Sequence, residues 1–370
     1  MDAIVAIPVK NEAERIGACL QALGRQRAGH LGTHRLRVLL LLNDCNDGTG
    51  DVVRALQPSL STPVDIVEQA MAPGRAGAGF ARRLAMEAAV RVPGIDVLLT
   101  TDADSLVAPD WLSANLAAIR AGADAVAGRA VIDPGEATLI PRSLHEADAR
   151  ECAYADLLDH IASLLDQDAG DPWPRHTEHS GASIAVTPAA YRRAGGVPAV
   201  ALGEDRMLFA ALRRIDACVR HAPEVSVVVS GRINGRAAGG MADTIRRRMI
   251  APDPLLDDRL EPAREAARRA RLRQALRGVW RGDDGIVGVA ARFGLSERRL
   301  RDLLDAPYFG MVWAAVERSS PRLRRLAVRT EQLPLEMARG RRLLGALLSE
   351  PATAAADPAD TRESAAAATG

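Results

Sequence analysis

The stretch Val-Leu-Leu-Thr-Thr-Asp-Ala-Asp-Ser, residues 97–105, combines a short apolar run with two carboxylates. The run from Val97 to Leu99 has the length and composition of a buried strand. Asp102 and Asp104 follow two positions apart, and on an extended chain that spacing places both carboxylates on the same side. Such oxygen ligands suit Mg²⁺ or Mn²⁺, which commonly complete their coordination with water and substrate phosphates. The stretch therefore predicts a strand that ends at a metal-binding and phosphate-binding edge of a sheet.

Three further apolar runs precede this strand, and helical patterns alternate with the runs. The runs begin at Ala3, Val38 and Val64. The pattern after the first run places four apolar residues on one helix face, namely Ile16, Cys19, Leu20 and Leu23. Regular alternation of strands and helices predicts an α/β fold with a mostly parallel sheet and helices on both faces.

Loops of distinctive composition follow the first three strands. Pro-Val-Lys-Asn-Glu occupies residues 8–12, and Asn-Asp-Cys-Asn-Asp-Gly-Thr occupies residues 43–49. A glycine-rich loop at residues 74–79 permits close approach of the backbone to a ligand. It is not a P-loop, because the Gly-Lys-Ser/Thr ending is absent. Since strand ends form the ligand face of open α/β sheets, these loops predict the position of the binding site.

These segments, together with Asp102-Ala103-Asp104 and Gly203-Glu204-Asp205, resemble the motifs of family-2 glycosyltransferases in order and rough spacing. The resemblance covers roughly residues 1–245. It implies a GT-A fold and transfer of a sugar from a nucleotide-diphosphate donor to a hydroxyl acceptor. It also implies dependence on Mn²⁺ or Mg²⁺ and inversion at the sugar carbon.

The resemblance assigns several residues to the donor. It implies that Pro8 and Glu12 line the nucleoside pocket and that Asp44 bonds the edge of the base. A carboxylate that accepts from an imide N–H favours uracil, so a UDP-sugar is the expected donor. Arg75 and Arg82 are expected to reach phosphate oxygens.

The metal site is only partly defined by the resemblance. It implies that Asp104 binds the metal directly and that Asp102 contacts the ribose, or the metal through water. Many relatives supply a further ligand from a histidine late in the domain, but residues 229–232 contain none. His221 is the nearest substitute, so the third ligand stays open.

The Gly203-Glu204-Asp205 segment resembles the family's Glu-Asp motif at a helix start. In inverting members one carboxylate of this motif takes the proton of the acceptor hydroxyl. Motif position favours Asp205 as this base, with Glu204 as the alternative.

The net charge of +1 conceals an uneven distribution along the chain. Residues 246–348 carry about ten more arginines than acidic residues, in a helical pattern. Residues 350–370 lack large apolar side chains, which is typical of disorder. We therefore expect a GT-A domain over 1–245, a basic helical region over 246–349 and a disordered tail over 350–370.

Cysteine usage and hydropathy bear on location. The four cysteines are scattered without a C-x-x-C pair, which favours reduced thiols and makes a structural zinc site unexpected. No apolar run approaches the ~18 residues of a membrane span, and no signal peptide is recognised. We expect a cytoplasmic protein, and the basic helices leave open a peripheral contact with the inner face of a membrane.

Two other functions remain as alternatives. A nucleotidyltransferase would share a related fold and a carboxylate-bound metal, but such enzymes usually carry a glycine-rich loop directly after the first strand. Residues 8–12 contain no glycine. Residues 290–300 are similar to the turn of a helix-turn-helix, so a nucleic-acid-binding module in the basic region is the second alternative.

Overall fold

A computed structural model of the chain describes residues 1–27, 35–72, 74–75, 77–235 and 239–349. The expected disordered tail, 350–370, position 73 and position 76 within the glycine-rich loop lie outside the described residues. The described part contains one eight-stranded sheet. Its strands are β1 (Ala3–Val9), β2 (Leu36–Asn43), β3 (Val64–Gln69), β4 (Val97–Thr100), β5 (Leu106–Val107), β6 (Ala125–Ile132), β7 (Ile184–Val186) and β8 (Val219–Val229).

The strand order in the sheet is β3-β2-β1-β4-β7-β6-β8-β5. The first four neighbours run parallel, whereas β7 runs antiparallel to both β4 and β6. Strand β8 is parallel to β6, and the short β5 pairs antiparallel with the end of β8, where Leu106 faces Val228. The predicted parallel arrangement of the first four strands is confirmed, and the carboxyl ends of β1, β2 and β4 share one edge.

Helices connect and cover the strands. In the first 250 residues they are α1 (Ile16–Gly24), α2 (Thr49–Leu56), α3 (Ala78–Ala89), α4 (Trp111–Arg120), α5 (Pro134–Ala137), α6 (Arg142–Leu165), α7 (Pro188–Arg193), α8 (Glu204–Arg214) and α9 (Met241–Ile250). Beyond them lie α10 (Ala263–Arg281), α11 (Ile286–Phe293), α12 (Glu297–Leu304), α13 (Phe309–Ser319) and α14 (Leu333–Ser349). Short 3-10 turns span Gln57–Ser59, Pro321–Leu323 and Thr330–Gln332.

The sheet has a hydrophobic core on each face. Side chains of α1, α2 and α4 pack on one face, and those of α3, α7 and α8 pack on the other. The predicted apolar face of α1 is confirmed, because its four members are at most 2% exposed: Ile16, Cys19, Leu20 and Leu23. Burial of each such aliphatic side chain contributes about 1.5–3 kcal/mol, which holds the strand ends in fixed relative positions.

The C-terminal helices enclose a separate hydrophobic core, and hydrogen bonds connect them to the turn before β8. Helices α10 to α13 enclose their own apolar cluster, and α14 packs on α6 and α10. The carboxylate of Asp216, in the turn before β8, accepts from the backbone N–H of Phe309 at 2.6 Å and of Gly310 at 2.7 Å. The expected boundary between residues 245 and 246 falls inside α9. Among the helices described, none is long and apolar enough to cross a bilayer.

Candidate active site

The loops after β1 and β2 are joined into one unit by hydrogen bonds. The backbone N–H of Asn46 donates to Oδ1 of Asn11 at 2.9 Å. In the other direction, Glu12 N–H donates to Thr49 Oγ1 at 2.9 Å, and Ala13 N–H donates to an Asp47 oxygen at 3.1 Å. These hydrogen bonds hold the two loops together at the carboxyl ends of β1 and β2. The sequence predicted a nucleoside pocket at this edge of the sheet.

The remaining predicted nucleoside and phosphate residues lie on or beside this edge. Pro8 is half-buried within β1, opposite Leu41 of β2. Asp44 is exposed, adopts a left-handed φ of 49°, and its Oδ1 accepts from the backbone N–H of Met71 at 3.0 Å. Arg75 is exposed, and its side chain bonds no group within the described residues. Asp44 and Arg75 are therefore open to solvent, as ligand-binding groups would be.

Arg82 is a buried link between two predicted site elements. Its Nε donates to Glu204 at 3.0 Å, and its Nη atoms donate to Thr100 at 2.9 Å and to Asp102 at 2.6 Å. Burial alone would lower the pKa of this guanidinium, but the charges of Asp102 and Glu204 outweigh burial and leave the pKa raised. Arg82 as a whole residue is 3% exposed. The sequence predicted contact with phosphate, whereas the structure shows every nitrogen of the guanidinium bonded to the protein.

Arg232, just beyond β8, joins two other predicted carboxylates. Its guanidinium donates to both oxygens of Glu12, at 2.7 and 3.1 Å, and forms an ion pair with Asp104 at 2.9 Å. The paired geometry on Glu12 is the planar fork that arginine offers to carboxylates. The Arg232 side chain retains 21% of its exposure, so the pair lies near solvent.

The approach of Arg232 to Asp104 follows from the sheet. Strand β5 begins two residues after Asp104 and pairs with the end of β8, so the residues before β5 and those after β8 meet. The segment after β8 is also held by Glu136, whose Oε2 accepts from Ser230 Oγ at 2.8 Å and from Gly231 N–H at 2.6 Å. The position of Arg232 therefore depends on a two-residue strand and on one carboxylate of α5.

The contacts of Arg82 and Arg232 define what we call the acidic cluster. Its members are Glu12, Arg82, Asp102, Asp104, Glu204 and Arg232. Four carboxylates and two guanidiniums leave a formal excess of two negative charges when all are ionised. Burial, and then the charge of Asp102, raise the pKa of Asp104 to about 6, although Arg232 opposes the rise. Among its named members, the cluster therefore carries more negative than positive charge.

The two candidate bases occupy different environments. Glu204 is 6% exposed and bonded to Arg82, so it lies within the acidic cluster. Asp205 is half-buried, and its Oδ2 accepts from the backbone N–H of Gly181 at 3.1 Å. A Cβ at Gly181 would lie 2.5 Å from an Arg82 nitrogen, so a side chain there would displace the link. Glu204 and Asp205 therefore differ in burial and in hydrogen-bond partners. The position in the motif gave only an order of preference between them as the base.

His221 does not lie beside Asp104. It is the third residue of β8, seven positions before Val228, which corresponds to about 23 Å of strand at ~3.3 Å per residue. Its Nδ1 contacts Asp171 at 2.7 Å, and its Nε2 contacts Arg213 and His179, each at 3.2 Å. His221 was considered as a metal ligand because it is close in sequence to residues 229–232. The length of β8 separates it from Asp104, so it cannot bind the same ion.

His221 instead belongs to what we call the histidine cluster, whose members are Asp159, Asp171, Arg175, His176, His179, Arg213, Arg220 and His221. Burial is the main cause of the lowered pKa of His221, and burial also lowers the pKa of His176 to about 4. Burial lowers the pKa of Arg213 to about 10. The cluster holds its histidines neutral within the fold.

The residues present suit one divalent cation with few protein ligands. Asp102 and Asp104 supply two carboxylates, the number that Mg²⁺ commonly takes when a substrate phosphate completes its shell. The excess charge of the acidic cluster equals that of one such ion. Over the described ranges, no group of three or more His, Cys, Asp or Glu side chains is arranged to hold a metal, so no third protein ligand is found.

Arg232 and Gly181 are the site residues that sequence reasoning did not select. Arg232 was visible as the last residue of the segment in which a histidine was sought, yet nothing in the local pattern paired it with Asp104. Gly181 lies in a run of small residues, and only its N–H bond to Asp205 shows its importance.

One family model matches a segment in the first half of the chain. Residues 4–177 match the model of the glycosyl transferase family 2. A search of curated proteins found no match.

Several solved structures are similar. A mannosyltransferase from Pyrobaculum calidifontis, in complex with GDP-Man and Mn²⁺, is 17% identical over 92% of this chain and 79% of its own, with a TM-score of 0.42. TarS 1–349 from S. aureus, in complex with UDP-GlcNAc, is 16% identical over 86% and 91%, with a TM-score of 0.45. Glucosyl-3-phosphoglycerate synthase from Mycobacterium tuberculosis is 15% identical over 68% and 76%, with a TM-score of 0.37.

The family match begins at the first strand and includes both polar loops and the Asp-x-Asp motif. The sheet order and the helices on both faces agree with the GT-A architecture expected from the sequence. Residues 4–177 therefore match the glycosyl transferase family 2, and the fold agrees with that match.

Proposed function

We propose that the protein transfers a sugar from a nucleoside-diphosphate donor, with UDP as the preferred nucleotide, to a hydroxyl acceptor. The observation that carries this proposal is the acidic cluster at the carboxyl ends of β1 and β4, of which Glu12, Arg82, Asp102 and Asp104 lie within the segment that matches the family. Its excess negative charge suits a site completed by a cation and a diphosphate. Catalysis is assigned to residues 1–245.

The nucleoside is assigned to the joined loops after β1 and β2. Asp44 is exposed beside them, and only one of its oxygens is bonded to the described protein. The second oxygen is free to accept from the imide N–H of uracil, where cytosine offers no donor. Pro8 and Glu12 are proposed to line the pocket, and Arg75 is proposed to bind the phosphates.

Asp205 is proposed as the base that acts on the acceptor. The acceptor oxygen forms a bond to the anomeric carbon while its proton passes to Asp205. The bond from that carbon to the diphosphate breaks, and the nucleoside diphosphate leaves with the electron pair. Attack opposite to the leaving group inverts the anomeric centre. Glu204 holds Arg82 in place and takes no part in proton transfer.

Asp102 and Asp104 are proposed to hold Mn²⁺ or Mg²⁺, with Asp104 as the direct ligand. Bound there, the cation would neutralise the charge that develops on the departing diphosphate. Arg82 fixes the orientation of Asp102 and is a positioning residue.

The proposal is tested by a thermal-shift screen of nucleoside diphosphates with and without Mn²⁺. A ligand at ~100 times its dissociation constant stabilises the folded state by about 2.7 kcal/mol, which is a readily measured rise in melting temperature. We expect the largest rise with UDP plus Mn²⁺. No rise with any nucleoside diphosphate would contradict the donor assignment. Release of pyrophosphate instead of a nucleoside diphosphate during turnover would support the nucleotidyltransferase alternative.

For the basic region, 246–349, we propose contact with an anionic membrane surface. A cleft of about 290 Å³ among α10, α11 and the Pro321–Leu323 turn is lined by Arg268, Arg271, Arg292 and Arg322. Within the described chain, only Arg268 of these four has a carboxylate partner, Glu265. Unpaired guanidiniums around one cleft favour phosphate groups.

Co-sedimentation with vesicles tests this contact. We expect retention on vesicles that contain phosphatidylglycerol and none on vesicles of phosphatidylcholine alone, with loss on Arg271→Ala plus Arg292→Ala. Retention on DNA without retention on either vesicle would instead support the nucleic-acid-binding alternative, for which α11, Gly294, Ser296 and α12 form a helix-turn-helix outline.

A further inference from the structure

The guanidinium of Arg232 lies between two carboxylates of the acidic cluster. It bridges Glu12, at the nucleoside loop, and Asp104, the proposed metal ligand. Two of its N–H groups donate to Glu12, and the guanidinium also forms an ion pair with Asp104. Residues 229–232 contain no histidine, and the ring of His221 contacts Asp171 in the histidine cluster.

We propose that Arg232 is the resident counter-ion of the donor site: it competes with a divalent cation for Asp104 in the empty enzyme, and it binds the diphosphate when the donor is present. This inference rests on the proposed function, since it concerns the same diphosphate site. A second cation at Asp104 would be repelled by the guanidinium at 2.9 Å from the carboxylate. When the diphosphate is bound, its negative charge attracts both the guanidinium of Arg232 and the divalent cation. The two then no longer compete for Asp104.

The location of Arg232 suits exchange between two partners. Its side chain is 21% exposed, in contrast to the 4% of Arg82, so Arg232 is the less buried of the two arginines. Arginine binds carboxylate and phosphate with the same planar fork, so exchange requires no new chemistry. The charges of Glu12 and Asp104 keep the guanidinium at the site until the donor arrives.

The test measures the binding of Mn²⁺ and of UDP separately. Free Mn²⁺ is followed by electron paramagnetic resonance without nucleotide, and UDP binding is followed by calorimetry at saturating Mn²⁺. For Arg232→Ala we expect Mn²⁺ alone to bind about 5-fold tighter and UDP to bind at least 10-fold more weakly. Arg232→Lys retains the charge without the fork, so Mn²⁺ binding should stay near wild type while UDP binding falls by an intermediate factor.

Arg37→Ala serves as the matched control. It removes one arginine and one ion pair, with Asp65, outside the acidic cluster, and we expect neither constant to change by more than 2-fold. Weaker binding of both Mn²⁺ and UDP to Arg232→Ala would show a merely structural role and overturn the inference, as would unchanged binding of both. Failure of the wild type to bind any nucleoside diphosphate would instead contradict the proposed function itself.

Discussion

The two ends of β8 carry two networks of buried charged side chains that differ in charge balance. The acidic cluster, beyond the end of β8, has four carboxylates against two guanidiniums. The histidine cluster, at the beginning of β8, has two carboxylates against three guanidiniums, and its histidines are held neutral. Both are extensively hydrogen-bonded, so the number of polar contacts does not distinguish a binding site from a structural network.

The pKa shifts show the consequence of this difference. Burial and neighbouring carboxylates raise the pKa of Asp104 to about 6, which indicates an excess of negative charge. Burial acts on Asp171 in the same direction, but the bond from His221 and the nearby arginine charges leave its pKa lowered. Asp171 is therefore satisfied within the protein, whereas Asp104 is not. Burial also raises the pKa of Asp159 in the histidine cluster, and its Oδ2 has no hydrogen-bond partner among the described residues, so a raised carboxyl pKa alone does not indicate a ligand site.

The largest effect is expected from Asp205→Asn, at the acceptor side of the acidic cluster. The amide retains the size of the carboxylate but cannot take the proton of the acceptor. Loss of a general base lowers rates by 10²–10⁴, so we expect a fall of about 10³-fold in single-turnover transfer with unchanged UDP affinity. If this variant retains its rate, Asp205 is not the base.

Glu204→Gln provides the comparison at the neighbouring position. Glu204 is the buried partner of Arg82, so its loss should lower the melting temperature more than Asp205→Asn does. A variant with a normal melting temperature and no transfer would reverse the roles assigned to the two acids.

Asp171→Asn should affect stability and leave catalysis nearly unchanged. Asp171 accepts from the His221 backbone at 2.8 Å and its ring at 2.7 Å, and it faces Arg220 at 3.3 Å. Loss of one partner of a buried charge network costs about 3 kcal/mol of unfolding free energy. Chemical denaturation measures this loss, and transfer per folded molecule should stay within threefold of wild type. The exposed pair of Asp65 with Arg37 is the control, since Asp65→Asn should cost less than 1 kcal/mol. A large loss of transfer in folded Asp171→Asn would place the histidine cluster in the reaction.

Asp104→Asn should show the opposite pattern. Removal of one negative charge relieves the excess in the acidic cluster, so the unfolding free energy should be unchanged or increased. Loss of the proposed metal ligand should lower transfer about 100-fold, equivalent to about 2.7 kcal/mol of transition-state stabilisation. Denaturation and turnover would be measured on one preparation. Full activity would show that any required metal is held elsewhere.

The sequence was sufficient for those features that depend on neighbouring residues. The apolar face of α1 and the strand before the Asp-x-Asp motif are local patterns, and the structure confirms both. The contact of Arg232 with Asp104 joins positions 128 residues apart through β5, a strand of two residues that leaves no periodic pattern. The role first given to His221 was wrong for the same reason, since proximity in sequence did not reveal the length of β8.

The smallest expected effect is on the pH dependence of the unfolding free energy. This dependence has opposite signs for the histidine cluster and the acidic cluster. Burial lowers the folded-state pKa of His176 to about 4 from an ordinary value of 6.5, so the unfolded chain binds more protons between these values. Stability from His176 is therefore complete above pH 6.5 and is lost as the pH falls, by about 2 kcal/mol at pH 5. Asp104 acts in the opposite direction, because its raised pKa makes acid relieve charge repulsion. The variant His176→Asn keeps an acceptor for the Glu178 N–H. Between pH 7.5 and pH 5, its unfolding free energy should fall by about 2 kcal/mol less than that of the wild type, as measured by chemical denaturation. An unchanged slope would mean that His176 is protonated within the fold, and the contrast between the acidic cluster and the histidine cluster would then lose one of its supports.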